Sequence, residues 1–174
     1  MAGIATTPVH LGDVTGMQQA VVTSFNQLAR LQVSTSKHYA QSEGSLTFAD
    51  LSGSDSAAQA AAVAAANEWM VKYLAHIADT IAHIAADASP PSLTIATDVA
   101  SAVTLANAIK ADYNTHIGDT GQHPNADATN TIASSDATNL ATLQTLLNEA
   151  KNTTGFNQHV ASAPTVSSLR IVNL

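Results

Sequence analysis

The feature that most constrains the fold is an internal repeat with a 40-residue offset. Residues 62–88 and 102–128 align without a gap, and thirteen of the 27 aligned positions are identical. Both copies contain the string Tyr-x-x-His-Ile-x-Asp-Thr-x-x-His-x-x-x-Asp, which a shared alanine content does not explain. Each copy of such a repeat is one supersecondary unit that buries its apolar face against the next copy. We therefore expect duplicated helix-plus-loop modules.

Apolar residues recur every three or four positions in four segments, which predicts four helices that each bury one face. The segments are 13–38, the run after Ser54 or Asp55, the run after Asp98 and the run after Asp136. Gly118 stands where a left-handed helix end is expected, and one helical turn is expected at 48–51. The predicted fold class is mainly α, an antiparallel helical bundle of about four helices.

The helical pattern ends before both termini of the chain. Residues 1–12 are expected to form an extended N-terminal arm and 161–174 a short β-prone tail, with the helical domain at 13–160. Its repeat units are about 58–97 and 98–135, followed by a partial third unit at 136–160. The arm residues with the strongest assembly potential are Ile4, Pro8, Leu169, Ile171 and Val172. Addition to a neighbouring chain and a frayed terminus both fit these arms.

Charge and composition exclude several classes of partner. Charged residues make up only 11% of the chain, and its net charge is −7. The six basic residues are scattered, so neither nucleic acid nor an anionic membrane surface is an expected partner. The start of the chain lacks the pattern of a signal peptide, and the apolar run near 60–66 is too short to span a bilayer. A surface this poor in charge favours self-association or cover by neighbouring subunits.

The polar loop of each module carries two histidines and two aspartates. Two histidines and a carboxylate form a known type of metal triad, so each loop is a candidate divalent-metal site. The candidate ligands are His76, His83 and Asp87 in the first module and His116, His123 and Asp127 in the second. The spacing of the histidines, His-x6-His, is wider than the His-x3-5-His of common zinc sites, which argues against this interpretation.

A structural role for the same loops is the favoured interpretation. His76 and His116 are expected at helix C-termini, where imidazoles bind the last carbonyls. The aspartates are expected to form turns that bind loop N–H groups, with the two repeat tyrosines packed beside them. These residues are Tyr73, Asp79, Asp87, Tyr113, Asp119 and Asp127.

Catalytic signatures are missing from the sequence. It contains no Gly-x-Ser-x-Gly, no His-Glu-x-x-His, no phosphate-binding loop and no dinucleotide fingerprint. Glutamate occurs only at 43, 68 and 149, so few carboxylates are available to form the catalytic pair of a hydrolase. We expect a protein that is not an enzyme; a small hydrolase would depend on His76 and His116 very unequally.

The segment Leu105–Leu140 resembles a repeat of virion structural proteins of tailed bacteriophages. The matching residues are Leu105, Asn107, Lys110, Tyr113, Asn114, His116, His123, Asp127, Thr129, Asn130, Ile132, Asp136, Ala137, Thr138 and Leu140. The likeness is weaker over 62–98, where Pro90 and Pro91 replace a Thr-Asn pair, and it does not extend over 1–50 or 161–174.

The resemblance implies a structural protein located in the virion, with the major capsid protein among its partners. A capsid decoration or cement protein is the leading hypothesis, and a tail, neck or fibre-associated protein is the alternative within that class. A metal-stabilised binding or adhesion module that uses the His–Asp loops is the alternative from a different class. The resemblance adds no catalytic residue. No cofactor is expected other than the possible divalent metal of the His–Asp loops.

Overall fold

Three long helices and one short helix make up the regular structure of the described residues, which are 37–38, 44–87, 89–152 and 154–162 of a computed structural model. Helix α1 spans Ser56–Ile77, α2 Val99–His116, α3 Leu140–Lys151 and α4 Phe156–Val160. No strand occurs within these ranges. The described part of the chain is mainly helical, as predicted. The expected helix before Lys37 and the arm residues Ile4, Pro8, Leu169, Ile171 and Val172 lie outside the described residues.

Polar caps fix where the long helices begin. The Asp55 carboxylate accepts a hydrogen bond from the Ala58 N–H, and Asp98 forms a capping box with Ser101, so both predicted starts are confirmed. The start predicted after Asp136 is wrong, because Asn139 makes the capping box and α3 begins at Leu140. The Asp136 carboxylate instead pairs with the Lys110 ammonium at 2.9 Å.

Helices α1 and α2 run in the same direction. The Tyr73 hydroxyl on α1 donates to the Asp112 carboxylate on α2, and one turn further the Nε2 atoms of His76 and His116 lie 3.2 Å apart. Corresponding turns therefore meet in the same order, and the predicted antiparallel arrangement is wrong for this pair. The connection over 78–98 returns the chain to the start of the bundle before α2 begins.

Asparagine side chains hold these return segments against the helices. Each asparagine accepts from a backbone N–H at 2.8 Å and donates to the carbonyl of the same residue at 2.9 Å. The pairs are Asn67 with Ala96, Asn107 with Ala137, and Asn148 with Leu51. Because Asn148 holds Leu51 in this way, the helical turn expected at 48–51 is absent.

The core combines alanines with a small number of large rings. Buried alanines such as Ala62, Ala66 and Ala106 allow the helices to approach closely. The rings of Tyr73, Tyr113 and Phe156 form a layer with centroid separations of 5.9–6.3 Å. This layer lies one turn below the histidines and gives them a rigid apolar floor.

Glycine conformations correct one further prediction. Positive φ angles occur at Gly44, Gly53 and Gly155 among the described residues, so Gly118 is not the expected left-handed cap. At Gly155 (φ +117°) an added Cβ would lie 2.8 Å from the Glu149 carbonyl oxygen, so only glycine fits between α3 and α4. None of the described helices is long and apolar enough to cross a membrane.

Candidate metal centre

Helices α1 and α2 each lead into a turn with the same backbone hydrogen bonds. We call residues 78–87 the first turn and 118–127 the second turn. In each, a histidine N–H donates to an aspartate carbonyl, and a later aspartate N–H donates back to the end of the helix. The bonds are His83 to Asp79 (3.2 Å) and Asp87 to Ile77 (2.9 Å) in the first turn, and His123 to Asp119 (3.0 Å) and Asp127 to Ile117 (2.7 Å) in the second.

The aspartate side chains stabilise these turns as expected from the sequence. The Asp79 carboxylate accepts from the Ile81 N–H at 2.8 Å, and the Asp119 carboxylate accepts from the Gly121 N–H at 2.7 Å. These Asx-type bonds satisfy backbone donors that no helix serves. The turns thereby hold His83 and His123 in fixed positions over the helix ends.

Six histidine side chains converge at this end of the bundle. They are His38, His76, His83, His116, His123 and His159. Their exposed fractions lie between 0 and 3%. Candidate ligand atoms of all but His116 lie within 4.8 Å of one another, and His116 joins the group through the 3.2 Å contact between its Nε2 and that of His76. We call these residues the six-histidine cluster.

In four members of the cluster the Nδ1 atom faces outward and has a polar partner. The pairs are His83 with the Asp79 carbonyl (2.9 Å), His123 with the Asp119 carbonyl (3.2 Å), His159 with the Asp127 carboxylate (2.9 Å) and His38 with the Ser162 hydroxyl (3.3 Å). Carbonyls and carboxylates only accept, so Nδ1 carries the proton in His83, His123 and His159. Their Nε2 atoms then carry a free lone pair.

The Nε2 atoms of the same four histidines have no hydrogen-bond partner. These atoms belong to His38, His83, His123 and His159. A buried polar atom without a hydrogen-bond partner destabilises the folded state by about 1–3 kcal/mol. Four such atoms in one cluster therefore reduce stability considerably unless a ligand binds them. An outward Nδ1–H on a carbonyl or carboxylate and an inward Nε2 lone pair is the usual arrangement of metal-bound histidine.

The electrostatics keep the cluster neutral. Burial, followed by the neighbouring histidines, lowers the pKa of His38 and His116 to about 2 and that of His123 to about 4. The pKa values of the other three members are lowered by the same first cause. Neutral imidazole is the form that binds a metal, so these six are ligand-ready near pH 7.

Asp127 is the buried carboxylate beside this cluster. Burial raises its pKa, but hydrogen bonds from His159, Asn130 and Thr129 outweigh burial and hold the pKa below its ordinary value. The ionised group therefore orients His159 and supplies a negative charge next to the cluster.

The structure merges the two predicted triads into one site. His76, His83, His116 and His123 belong to a single cluster, whereas Asp87 accepts from the Ser89 N–H and Asp127 binds His159. The Nε2 atoms of His76 and His116 lie 3.2 Å apart within this cluster. Tyr73 and Tyr113 pack beneath, with hydroxyls on Asp112 and the Asn130 carbonyl.

Sequence reasoning missed His38 and His159 as members of the site. His159 had a signal, because Phe156–Val160 echoes Tyr113–Ile117 and aligns His159 with His116. The correspondence of His38 with His123 is visible only in the structure. His38 lies eight residues before Leu46, whose N–H donates to Asn157, and His123 lies nine residues before Ile132, whose N–H donates to Asn114.

The cluster is closed to solvent. Two surface cavities of about 260 and 330 Å³ lie elsewhere, one beside Leu93 and Thr104 and the other beside Phe48 and Glu68. Neither is lined by a histidine. Comparisons with protein-family profiles, with curated proteins and with solved structures gave no match.

Proposed function

We propose that the chain is a non-enzymatic structural module whose helical domain is held closed by one divalent metal ion in the six-histidine cluster. The observation that carries the proposal is that four histidines with ligand atoms within 4.8 Å of one another each have a buried Nε2 atom without a hydrogen-bond partner. A divalent ion accepts all of these lone pairs at once and removes the cost of leaving them unsatisfied.

Burial favours a structural metal over a catalytic one. A catalytic metal keeps an open coordination position that a substrate can reach, whereas a structural metal is enclosed by protein ligands. The histidines are at most 3% exposed and rest on the aromatic layer of Tyr73, Tyr113 and Phe156. This supports a role in stability and assembly.

The position of the ligands explains what the ion would stabilise. His38 and His159 come from opposite ends of the described domain, and the other ligands come from the two helix ends and turns between them. One ion therefore ties together segments that are distant in sequence. Because the complete ligand set exists only in the folded chain, the binding free energy of the ion adds to the free energy of unfolding.

The arrangement favours three related units. Asn67 of α1 and Asn107 of α2 each bind the segment that leads to the next long helix. Asn148 of α3 binds Leu51 in the segment that precedes α1. The three helices are therefore joined in a closed ring. Units 58–97 and 98–135 each supply one histidine near a helix end and one from the turn that follows it, the partial unit 136–160 supplies His159, and His38 comes from the segment before them. We infer that the repeat units about 58–97 and 98–135 and the partial unit 136–160 are variants of one module around this centre.

The resemblance to phage virion repeats supports a virion as the setting. Within it, a capsid decoration or cement protein bound to the major capsid protein fits a small, low-charge module that needs stability without catalysis. Imaging of purified particles that contain the chain tests this setting. A copy number equal to that of the capsid sites supports a decoration role, while three or six copies at the tail would instead support a tail, neck or fibre protein.

Thermal unfolding with and without metal tests the proposed metal role. We expect chelator-treated protein to melt at a lower temperature than protein given one equivalent of Co²⁺ or Ni²⁺, since an ion at 100 times its Kd adds about 2.7 kcal/mol. His76→Ala should abolish the difference. Gln144→Met is the matched control, because this buried side chain binds the Gly53 carbonyl at the other end of α1. No metal-dependent shift in the wild type would overturn the proposal.

A further inference from the structure

The rings of the six-histidine cluster are arranged as the corners of an octahedron. Six rings form fifteen pairs, and twelve of these pairs have centroids 4.4–6.0 Å apart. An octahedron has twelve edges, and every corner has four neighbours and one opposite corner. Each of the six rings has four such neighbours.

The three remaining pairs are the opposite corners. His76 and His123 have centroids 6.5 Å apart, the longest ring contact within the cluster. The other two opposite pairs, both within the described residues, make no ring contact. They are His38 with His116 and His83 with His159. Every histidine therefore has a single partner across the centre.

These separations match imidazoles bound to a central ion. With a metal–nitrogen bond of about 2.1 Å, ring centroids of adjacent ligands lie about 4.6 Å apart and those of opposite ligands about 6.5 Å apart. Opposite nitrogen atoms are then about 4.2 Å apart, within the 4.8 Å that joins the ligand atoms of five of the histidines. Four of the twelve observed edges lie at 4.4–4.7 Å, seven lie at 5.0–5.2 Å and the longest is 6.0 Å, so the rings stand slightly wider than around a bound ion. The one measured diagonal equals the expected 6.5 Å.

The donor set and the geometry together narrow the choice of ion. Ca²⁺ and Mg²⁺ require oxygen ligands, and Zn²⁺ in structural sites is almost always tetrahedral. Cu²⁺ prefers a tetragonal arrangement, whereas imidazole suits the other late first-row ions. Six neutral nitrogens leave the charge of the ion to be balanced from outside, and the buried Asp127 carboxylate lies directly behind His159.

We propose that the six-histidine cluster is a closed, six-coordinate, all-imidazole site for Fe²⁺, Co²⁺ or Ni²⁺. This inference rests on the proposed metal role and adds its coordination number, its full ligand set and its class of ion. All six ligands come from one chain, so the site is complete without a partner subunit.

Visible spectroscopy of the Co²⁺-loaded full-length chain tests the coordination number, since six-coordinate Co²⁺ absorbs weakly and four-coordinate Co²⁺ absorbs strongly. Co²⁺ is titrated under nitrogen into chelator-treated protein. We expect one equivalent to bind with the weak spectrum. One equivalent with the strong spectrum would overturn this inference and leave the metal role standing, whereas no binding would overturn both.

Single His→Gln variants at all six positions provide the second measurement, with Gln144→Met as control. We expect each of the six to alter the Co²⁺ spectrum or weaken binding at least tenfold, and the control to change neither. Even one folded variant with an unchanged Co²⁺ spectrum and unchanged affinity would contradict six-coordination. The wild-type spectrum decides the question for any variant that fails to fold, as judged by circular dichroism.

Discussion

The first and second turns share a backbone but differ in what surrounds them. Both place a histidine in the cluster through the same bond from Nδ1 to an aspartate carbonyl. The final aspartate differs: Asp127 is buried on His159, whereas Asp87 accepts from the Ser89 N–H near the surface. The first turn also exposes Ile81 at 76%.

This difference distinguishes the repeat positions that hold histidines in the six-histidine cluster from the positions whose contacts differ between the two turns. The bonds common to both turns are those that position histidines. The final aspartate becomes important only where a histidine from α4 lies opposite it, which happens once, at Asp127. A contact between the turns, from the Ile84 N–H to the Gln122 carbonyl at 2.7 Å, holds them as a pair.

Acidification of the metal-free protein is expected to have the largest effect. The folded-state pKa of each cluster histidine lies below its ordinary 6.5, so the unfolded chain binds protons that the folded chain does not. Stability is complete above pH 6.5 and falls as the pH drops from there towards about 4 for His123 and about 2 for His38. Each such histidine contributes a slope of about 1.4 kcal/mol per pH unit.

Urea unfolding of chelator-treated protein between pH 8 and 5 measures this slope. His83→Gln and His123→Gln should each reduce the slope by about one proton, because both turns supply a neutral histidine in the same way. Unequal reductions would break the equivalence of the turns. A stability that does not change between pH 7 and 5 would contradict the buried neutral cluster.

Replacement of the final aspartate should separate the two turns most clearly. We expect Asp127→Asn to destabilise the protein by about 2 kcal/mol, because it removes the charged partner of His159 and Asn130. Asp87→Asn should cost less than about 0.5 kcal/mol, since Asn can also accept from the Ser89 N–H. Chemical denaturation of both variants makes the comparison, and equal losses would show that the turns do not differ in this way.

Replacement of the first aspartate should affect both turns alike. Asp79→Ala and Asp119→Ala each remove a carboxylate that binds turn N–H groups, and a loss of about 1 kcal/mol is expected for each. Thermal melts of the two variants should agree closely. A much larger loss of stability at one position would mean that the corresponding hydrogen bonds contribute unequally to the stability of the two turns.

The smallest expected effect concerns Gly121, which aligns with Ile81 of the first turn. Gly121 has no positive φ, and an added Cβ would lie 3.0 Å from the Asp119 carboxylate oxygen. The first turn holds an isoleucine at this position with the same aspartate bond, so the side chain is accommodated. Gly121→Ala should stabilise the protein by about 0.5 kcal/mol through the unfolded state. A destabilised variant would show that the second turn is the tighter of the two.

Local patterns in the sequence were sufficient for part of the fold. Helical spacing and polar caps located α1 and α2, and the repeated Asp positions predicted the turn bonds, because each of these depends on residues close in sequence. The direction of the helices was not accessible in this way. It depends on the asparagine clamps, such as Asn67 on Ala96, which join residues distant in sequence.

The metal candidates show the same limit. The repeat identified four of the six histidines, but it placed them in two sites because each module was considered alone. Only the packing of α1 beside α2 brings His76 next to His116, and only the return of the chain at α4 adds His159. His38 enters from a segment that precedes the recognised repeat.

The metal content of the purified, untagged full-length chain tests the central claim most directly. After metal loading and removal of excess ion, inductively coupled plasma mass spectrometry against protein concentration should give one divalent ion per chain, and His76→Ala should reduce this to near zero. Two ions per chain would favour the prediction of one separate metal site in each module. The absence of a bound ion would contradict the metal centre.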